Sequence, residues 1–168
     1  MVEQGTDAAN RAVTAAAARA THHYPRRVLL AVAGLSPQIL TETLYALAVA
    51  VAPPFVPTEI RLITTAEGAE RARLSLLSDD PGWFARLCDD YQLPPIDFGP
   101  HAIQVLTDAE GEPLADIRDL ADNARVADQI TEAVRTLTLE PDCALHVSLA
   151  GGRKTMGYYA GYALSLYG

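Results

Sequence analysis

The sequence predicts an α/β fold: a mostly parallel sheet with helices on its faces. Three observations carry this. Arg27–Gly34 (RVLLAVAG) is a continuous apolar run bounded by cations and a glycine, the pattern of a strand buried on both faces. Strand-like and helix-like stretches then alternate along the chain, which makes βαβ units with right-handed crossovers. The 168 residues are enough for one domain with a proper core.

Taken in order, residues 1–25 are Ala-rich and polar with no clean apolar stripe. They read as a flexible or weakly helical extension, with a weak helix at Ala8–Ala20. His22 and His23 have no third ligand nearby and read as solvent-exposed rather than metal-binding. The domain proper is residues 26–168. After the first strand, Ser36 is placed to cap a helix and Pro37 to start it, the helix running about Pro37–Val51. Pro53, Pro54 and Pro57 close it. Thr58–Thr65 (TEIRLITT) is the second strand, followed by a turn at Ala66–Gly68 and a helix at Ala69–Leu77. Asp79–Gly82 is a turn. Trp83–Tyr91 is a short helix with Trp83, Phe84 and Leu87 on one face, so Trp83 reads as core or interface packing. Leu93–Ile96 and Ala102–Leu106 are strand candidates, and Asp108–Pro113 is an exposed acidic loop. Ile117–Leu139 is the longest helix, with Ile117, Leu120, Ala124, Ala127, Ile130, Val134 and Leu137 at helical spacing. Cys143 opens the last strand, which breaks at Ala150-Gly151-Gly152 and restarts as a helix, Lys154–Leu166.

Composition narrows the function. A net charge of −8 argues against a general DNA or RNA coat-binder, but leaves room for a small anionic ligand met by local positive charge. The two cysteines, Cys88 and Cys143, have no motif spacing and read as reduced core residues of a cytoplasmic protein. No signal peptide is visible. The longest apolar run, Ala46–Val56, is interrupted by Pro53-Pro54 and is too short to span a bilayer, so no membrane partner is expected.

Ligands of parallel sheets bind beyond the carboxyl ends of strands, and two such ends carry signals. At Ala150–Thr155 a strand, a glycine turn and a helix start come together with two cations. The first helical turn has free N–H groups and a positive dipole end, the glycines let a phosphate approach the backbone, and Arg153 and Lys154 add a fork and a point charge. At Gly34–Gln38, Ser36, Gln38 and a helix end suit a ribose or a base edge. Two familiar phosphate motifs do not fit. Walker A needs glycine directly before the Lys-Thr pair, where Arg153 stands, and no partner for Mg²⁺ is visible. The dinucleotide fingerprint lacks two of its three glycines after the first strand. NAD and ATP are therefore disfavoured, and no metal or cofactor is assigned.

Gly34–Leu47 (GLSPQILTETLYAL) and Leu145–Gly168 (LHVSLAGGRKTMGYYAGYALSLYG), with ITTAEG at Ile63–Gly68, DIRD at Asp116–Asp119 and DN at Asp122-Asn123, resemble the CRISPR-associated Rossmann-fold (CARF) domain. The resemblance runs from about Arg27 to the end and is closest to the ribonuclease-linked group of type III systems. It implies a Rossmann-like homodimeric sensor of cyclic oligoadenylates, cyclic tetra- or hexa-adenylate, lying across the dimer two-fold axis. Gly34, Leu35, Ser36, Pro37 and Gln38 of the first turn, and Ala150, Gly151, Gly152, Arg153, Lys154 and Thr155 of the second, would then contact phosphates, riboses and bases. Thr64, Thr65 and Asn123 are further candidates. Some relatives are ring nucleases that cut the same messenger without metal. In that reading Lys154 or Arg153 stabilises the phosphorane and Ser36 orients the 2′-OH or the leaving oxygen. No residue is an obvious general base: His146 reads as a satisfied core histidine and His101 as a loop residue. A nucleotide-binding Rossmann protein outside CRISPR is the lesser alternative. The family usually continues into an effector domain, commonly an RNase. The sequence stops at Leu166–Gly168, so the expectation is a C-terminally truncated sensor or a stand-alone form, without RNase activity on other RNAs.

Overall fold

The computed structural model describes residues 21–168; the expected helix at Ala8–Ala20 lies outside them. Four strands form one sheet: β1 Arg26–Val32, β2 Glu59–Thr64, β3 Ile103–Val105 and β4 Cys143–Ser148. Their order is β3-β2-β1-β4, and every pairing is parallel. Five helices flank the sheet: α1 Gln38–Tyr45, α2 Ala66–Ala72, α3 Trp83–Asp90, α4 Leu120–Thr138 and α5 Lys154–Tyr167. The arrangement is the Rossmann-like α/β fold that the alternation predicts. α1 and α2 each run on into a wider turn, Ala46–Ala50 and Arg73–Leu77.

Two cores lie on the two faces, sorted by the period-two alternation of β1. Val28, Leu30 and Val32 meet Val126, Ile130 and Val134 of α4 and Met156, Ala160 and Ala163 of α5. Leu29, Ala31 and Ala33 meet Leu40 and Leu44 of α1 and Ala69 and Ala72 of α2. The chain proceeds from β1 outward to β2 and β3, then crosses back to place β4 on the other side of β1. The strand order therefore reverses between β1 and β4, which makes a crevice at their carboxyl ends. Ala31 pairs with Ser148 in that register, so the two strands end level and the turns that follow them lie side by side.

Some expected elements shift. Leu93–Ile96 is not a strand. Pro94 and Pro95 remove two donors from the segment, and only Asp97 bridges to the sheet, opposite Glu59. The long helix starts at Leu120 rather than Ile117, because Asp119 caps it by accepting from the Asp122 N–H at 2.8 Å. Ile117 still joins the core, from the loop before it. α2 starts at Ala66 rather than Ala69, capped by Thr65. Trp83 stays out of the core. It is 49% exposed, with the Arg86 guanidinium 5.3 Å from its ring centroid, while Phe84 packs inward against Phe98. Cys88 and Cys143 are free thiols, half-buried, and burial pushes both above the ordinary thiol range.

Candidate functional site

The two turns meet at the switch point and are held together by backbone packing. A Cβ on Gly34 would lie 3.5 Å from the Gly152 Cα, and one on Gly151 would lie 2.4 Å from the Val32 carbonyl oxygen. Gly152 itself is left-handed, with φ +77°, where glycine carries no steric penalty. From beneath, Thr64 donates to the Gly34 carbonyl at 3.5 Å, and the Ser148 and Thr43 hydroxyls lie 3.3 Å apart, tying β4 to α1.

Above them lies a cavity of about 520 Å³. Of the expected site residues it is lined by Gly34, Leu35, Ser36, Gln38, Thr65, Ala150, Gly151, Gly152 and Arg153. Pro37 and Thr64 are buried and do not line it. Thr64 acts on the first turn through its carbonyl. Thr65 reaches the cavity, but its hydroxyl is occupied as the α2 cap, accepting from the Gly68 N–H at 3.3 Å.

Ser36 does not cap α1. Pro37 already has helical angles, and the first turn closes on carbonyls, Ile39 N–H to Ser36 O at 3.4 Å and Leu40 N–H to Pro37 O at 3.0 Å. The Ser36 hydroxyl is left exposed at the cavity wall. α5 likewise begins without a side-chain cap. α1 and α5 thus start at the crevice without a side-chain cap, whereas α2 and α4 are capped by Thr65 and Asp119.

Arg153 stands just before α5 and forks onto the Asp116 carboxylate, Nε to Oδ1 at 3.0 Å and Nη2 to both oxygens. The guanidinium holds the Asp116 carboxyl below its ordinary value, helped by the Ile117 N–H, and Asp116 raises Arg153 in turn. Lys154 does not line the larger cavity. It lines a neighbouring one of about 440 Å³ with Ile117, Asn123, Gly152, Arg153 and Thr155, and it makes no ion pair with another described residue. The expected catalytic set is therefore split: Ser36 and Arg153 share one cavity, Lys154 faces the other, and Arg153 borders both. Asn123 lines this smaller cavity, and its Oδ1 is buried with no hydrogen-bond partner among the described residues.

Sequence reasoning missed Glu42, Glu67 and Asp116, which bring three carboxylates to the larger cavity. Glu42 stands one helical turn after Gln38, a spacing that shares a face and was readable. Glu67 is paired with Arg71 at 2.9 Å, while Glu42 has no ion-pair partner among the described residues. His146 is half-buried rather than a satisfied core residue. Its ring lies 5.7 Å from that of Phe55, it makes no hydrogen bond among the described residues, and burial lowers its pKa. His101 sits in a short turn and meets Asp97 at 3.1 Å, remote from both cavities.

Fold and site together define an α/β protein with a crevice at a topological switch point, built from two backbone turns and two helix starts without side-chain caps. A family model, CRISPR-associated protein NE0113 (Cas_NE0113), matches residues 36–168, and the chain belongs to that family. The match covers β2 to β4, all five helices and every residue lining the two cavities except Gly34 and Leu35, and it supports a role in CRISPR defence. A comparison with curated proteins finds no match. Among the described residues no helix is long and apolar enough to cross a membrane.

Proposed function

We propose that the chain is a sensor domain of CRISPR defence that binds a cyclic oligoadenylate, held across the two-fold axis of a homodimer. The observation that carries this reading is the meeting of Gly34–Gln38 and Ala150–Arg153 around one cavity, with α1 and α5 starting beside it without side-chain caps. A cavity of about 520 Å³ takes one nucleotide-sized group. A ring of four or six adenylates needs more, and a second copy related by a two-fold axis supplies it in matching form.

A ring nuclease that cuts the same messenger is the alternative, and Glu42 supports it. That carboxylate shares the cavity with the Ser36 hydroxyl and is not tied up in an ion pair with a described residue. It is suited to accept the proton of a ribose 2′-OH as that oxygen attacks its own phosphate. The 5′-oxygen leaves and takes up a proton from water, giving a 5′-hydroxyl and a 2′,3′-cyclic phosphate. The protein's part is positioning and charge stabilisation by Arg153.

Incubation with cyclic tetra- and hexa-adenylate in EDTA tests both, with calorimetry for binding and chromatography for products. Binding without turnover gives the sensor. Slow conversion to linear adenylates with cyclic-phosphate ends gives the nuclease. No binding of either ring overturns both. Lys154→Ala is expected to weaken binding about tenfold, as loss of one charge-assisted contact does. Unchanged affinity would place the phosphates elsewhere.

A further inference from the structure

The two cavities differ in charge, and the Arg153–Asp116 pair is the wall between them. The larger holds three carboxylates, Glu42, Glu67 and Asp116, against the single guanidinium of Arg153. The smaller holds Arg153 and Lys154 and no carboxylate, and it lies at the uncapped start of the 14-residue helix α5. Asn123 lines it too, with its Oδ1 buried and without a hydrogen-bond partner among the described residues. A phosphate is repelled by the first cavity and attracted by the second, while ribose hydroxyls and exocyclic amines are donors that suit the carboxylates of the first.

We propose that Asp116 is a specificity-determining residue that occupies the phosphate-gripping edge of Arg153 until a ligand with several phosphates displaces it. This rests on the nucleotide reading above. The Nε–Nη2 edge of a guanidinium is the one that grips a carboxylate or phosphate with two parallel bonds, and Asp116 already holds that edge. The carboxylate stands where the ligand's phosphate would stand. Both side chains are about half exposed, so the pair is weak enough to open, yet it must be broken each time.

A ligand with one phosphate gains Arg153 only by releasing Asp116 beside its own charge. A ring also engages Lys154 and the α5 N-terminus, and its copies of each contact are tied together, so the cost of opening is shared. Asp116 therefore discriminates against mononucleotides and inorganic phosphates through a repulsive element rather than an extra attraction.

Asp116→Asn removes the charge and keeps an Oδ1 able to accept from the Ile117 N–H, a bond of 2.8 Å that orders the approach to α4. Its thermal midpoint is expected to match the parent. The probes are AMP and inorganic phosphate, titrated at low and moderate salt while the backbone amides are followed by NMR. Affinity for both should rise about fivefold in Asp116→Asn, with a steeper loss on adding salt, and the shifted amides should include Gly152–Thr155. Affinity that falls or stays level, no binding of either probe by the variant, or shifts confined to other segments would each overturn the proposal. Neither probe depends on ring recognition. Failure of cyclic tetra- and hexa-adenylate to bind the parent would refute the messenger reading while leaving the gate measurable.

Discussion

The two ends of the sheet use the same residue types to opposite effect. At the amino end, Arg26 opens β1 between Glu59 and Glu140, and Arg61 meets Glu59 from the other side. A cavity of about 440 Å³ there is lined by Arg26, Arg61 and Arg125 together with Asp128, Glu132 and Glu140. Cations and carboxylates balance, and no helix start lines it. At the carboxyl end Arg153 pairs with Asp116 and Glu67 with Arg71, but Glu42 and Lys154 have no ion-pair partner among the described residues, and two helices begin without a side-chain cap. An arginine in a hollow is thus not by itself a site. The amino end ties strands together through its ion pairs, and the carboxyl end, in the reading proposed above, is the one that meets a ligand.

The sharpest test of that contrast is Arg26→Ala. Arg26 donates to Glu59 through Nε at 2.9 Å and Nη2 at 3.2 Å, and the Glu59 side chain is only 16% exposed. Removing the guanidinium strands a half-buried carboxylate with Arg61 alone. The expected loss is about 3 kcal/mol by urea denaturation, the lower end of the range for breaking a buried pair, since neither partner is fully buried. Ligand affinity should be unchanged. Burial pushes the Glu59 carboxyl up, but hydrogen bonds from Arg26 and Arg61 outweigh it and hold it below its ordinary 4.5. A carboxyl lowered in the folded state stabilises above its unfolded pKa and loses that contribution as pH falls through the folded one. The parent should therefore lose stability below about pH 4.5, and Arg26→Ala should show a shallower acid limb. A variant as stable as the parent, with an unchanged acid limb, would remove the structural role of this end.

Gly151→Ala strikes the other end. The new methyl would sit 2.4 Å from the Val32 carbonyl oxygen and 3.2 Å from the Ala33 Cα, both backbone atoms that cannot swing aside. The turns must part, at an expected cost of about 2 kcal/mol, and binding should fall further than stability does. A variant that binds as the parent does would show that the close approach of the turns is not needed for the site.

How much of this was legible in the sequence follows the same division. The strands, the alternation and both turns could be read because each rests on local pattern: the apolar run at Arg27–Gly34, the glycine pair, the proline after Ser36. What could not be read depends on who meets whom across the fold. Asp116 is 37 residues from Arg153 in the chain, and only the crossover that brings α4 and α5 onto one face puts them in contact. The split of Ser36 from Lys154 is likewise a matter of which side of Arg153 each one falls on. Trp83 shows the same limit. Its helical spacing with Phe84 and Leu87 gives no sign of which of them the fold leaves outside.

The smallest effects separate the two hydroxyls of the site. Thr65 and Ser36 both line the larger cavity, each just beyond a strand and before a helix, and sequence alone makes both good caps. Thr65 does the work of one: it is 6% exposed and accepts the Gly68 N–H. Thr65→Ala should therefore lower stability by about 1 kcal/mol in urea unfolding, the usual value of a lost cap, with a smaller change in binding. Ser36 is exposed and no backbone N–H of α1 depends on its side chain. Ser36→Ala should leave the unfolding midpoint where it is, so any change it makes must come through the ligand. Loss of turnover beyond loss of affinity would mark Ser36 as a group acting on the reacting phosphate, and equal losses would mark it as a contact of a pure sensor. Destabilisation by Ser36→Ala equal to that of Thr65→Ala would mean that the Ser36 side chain caps α1 after all, and that its hydroxyl is not free to meet a ligand.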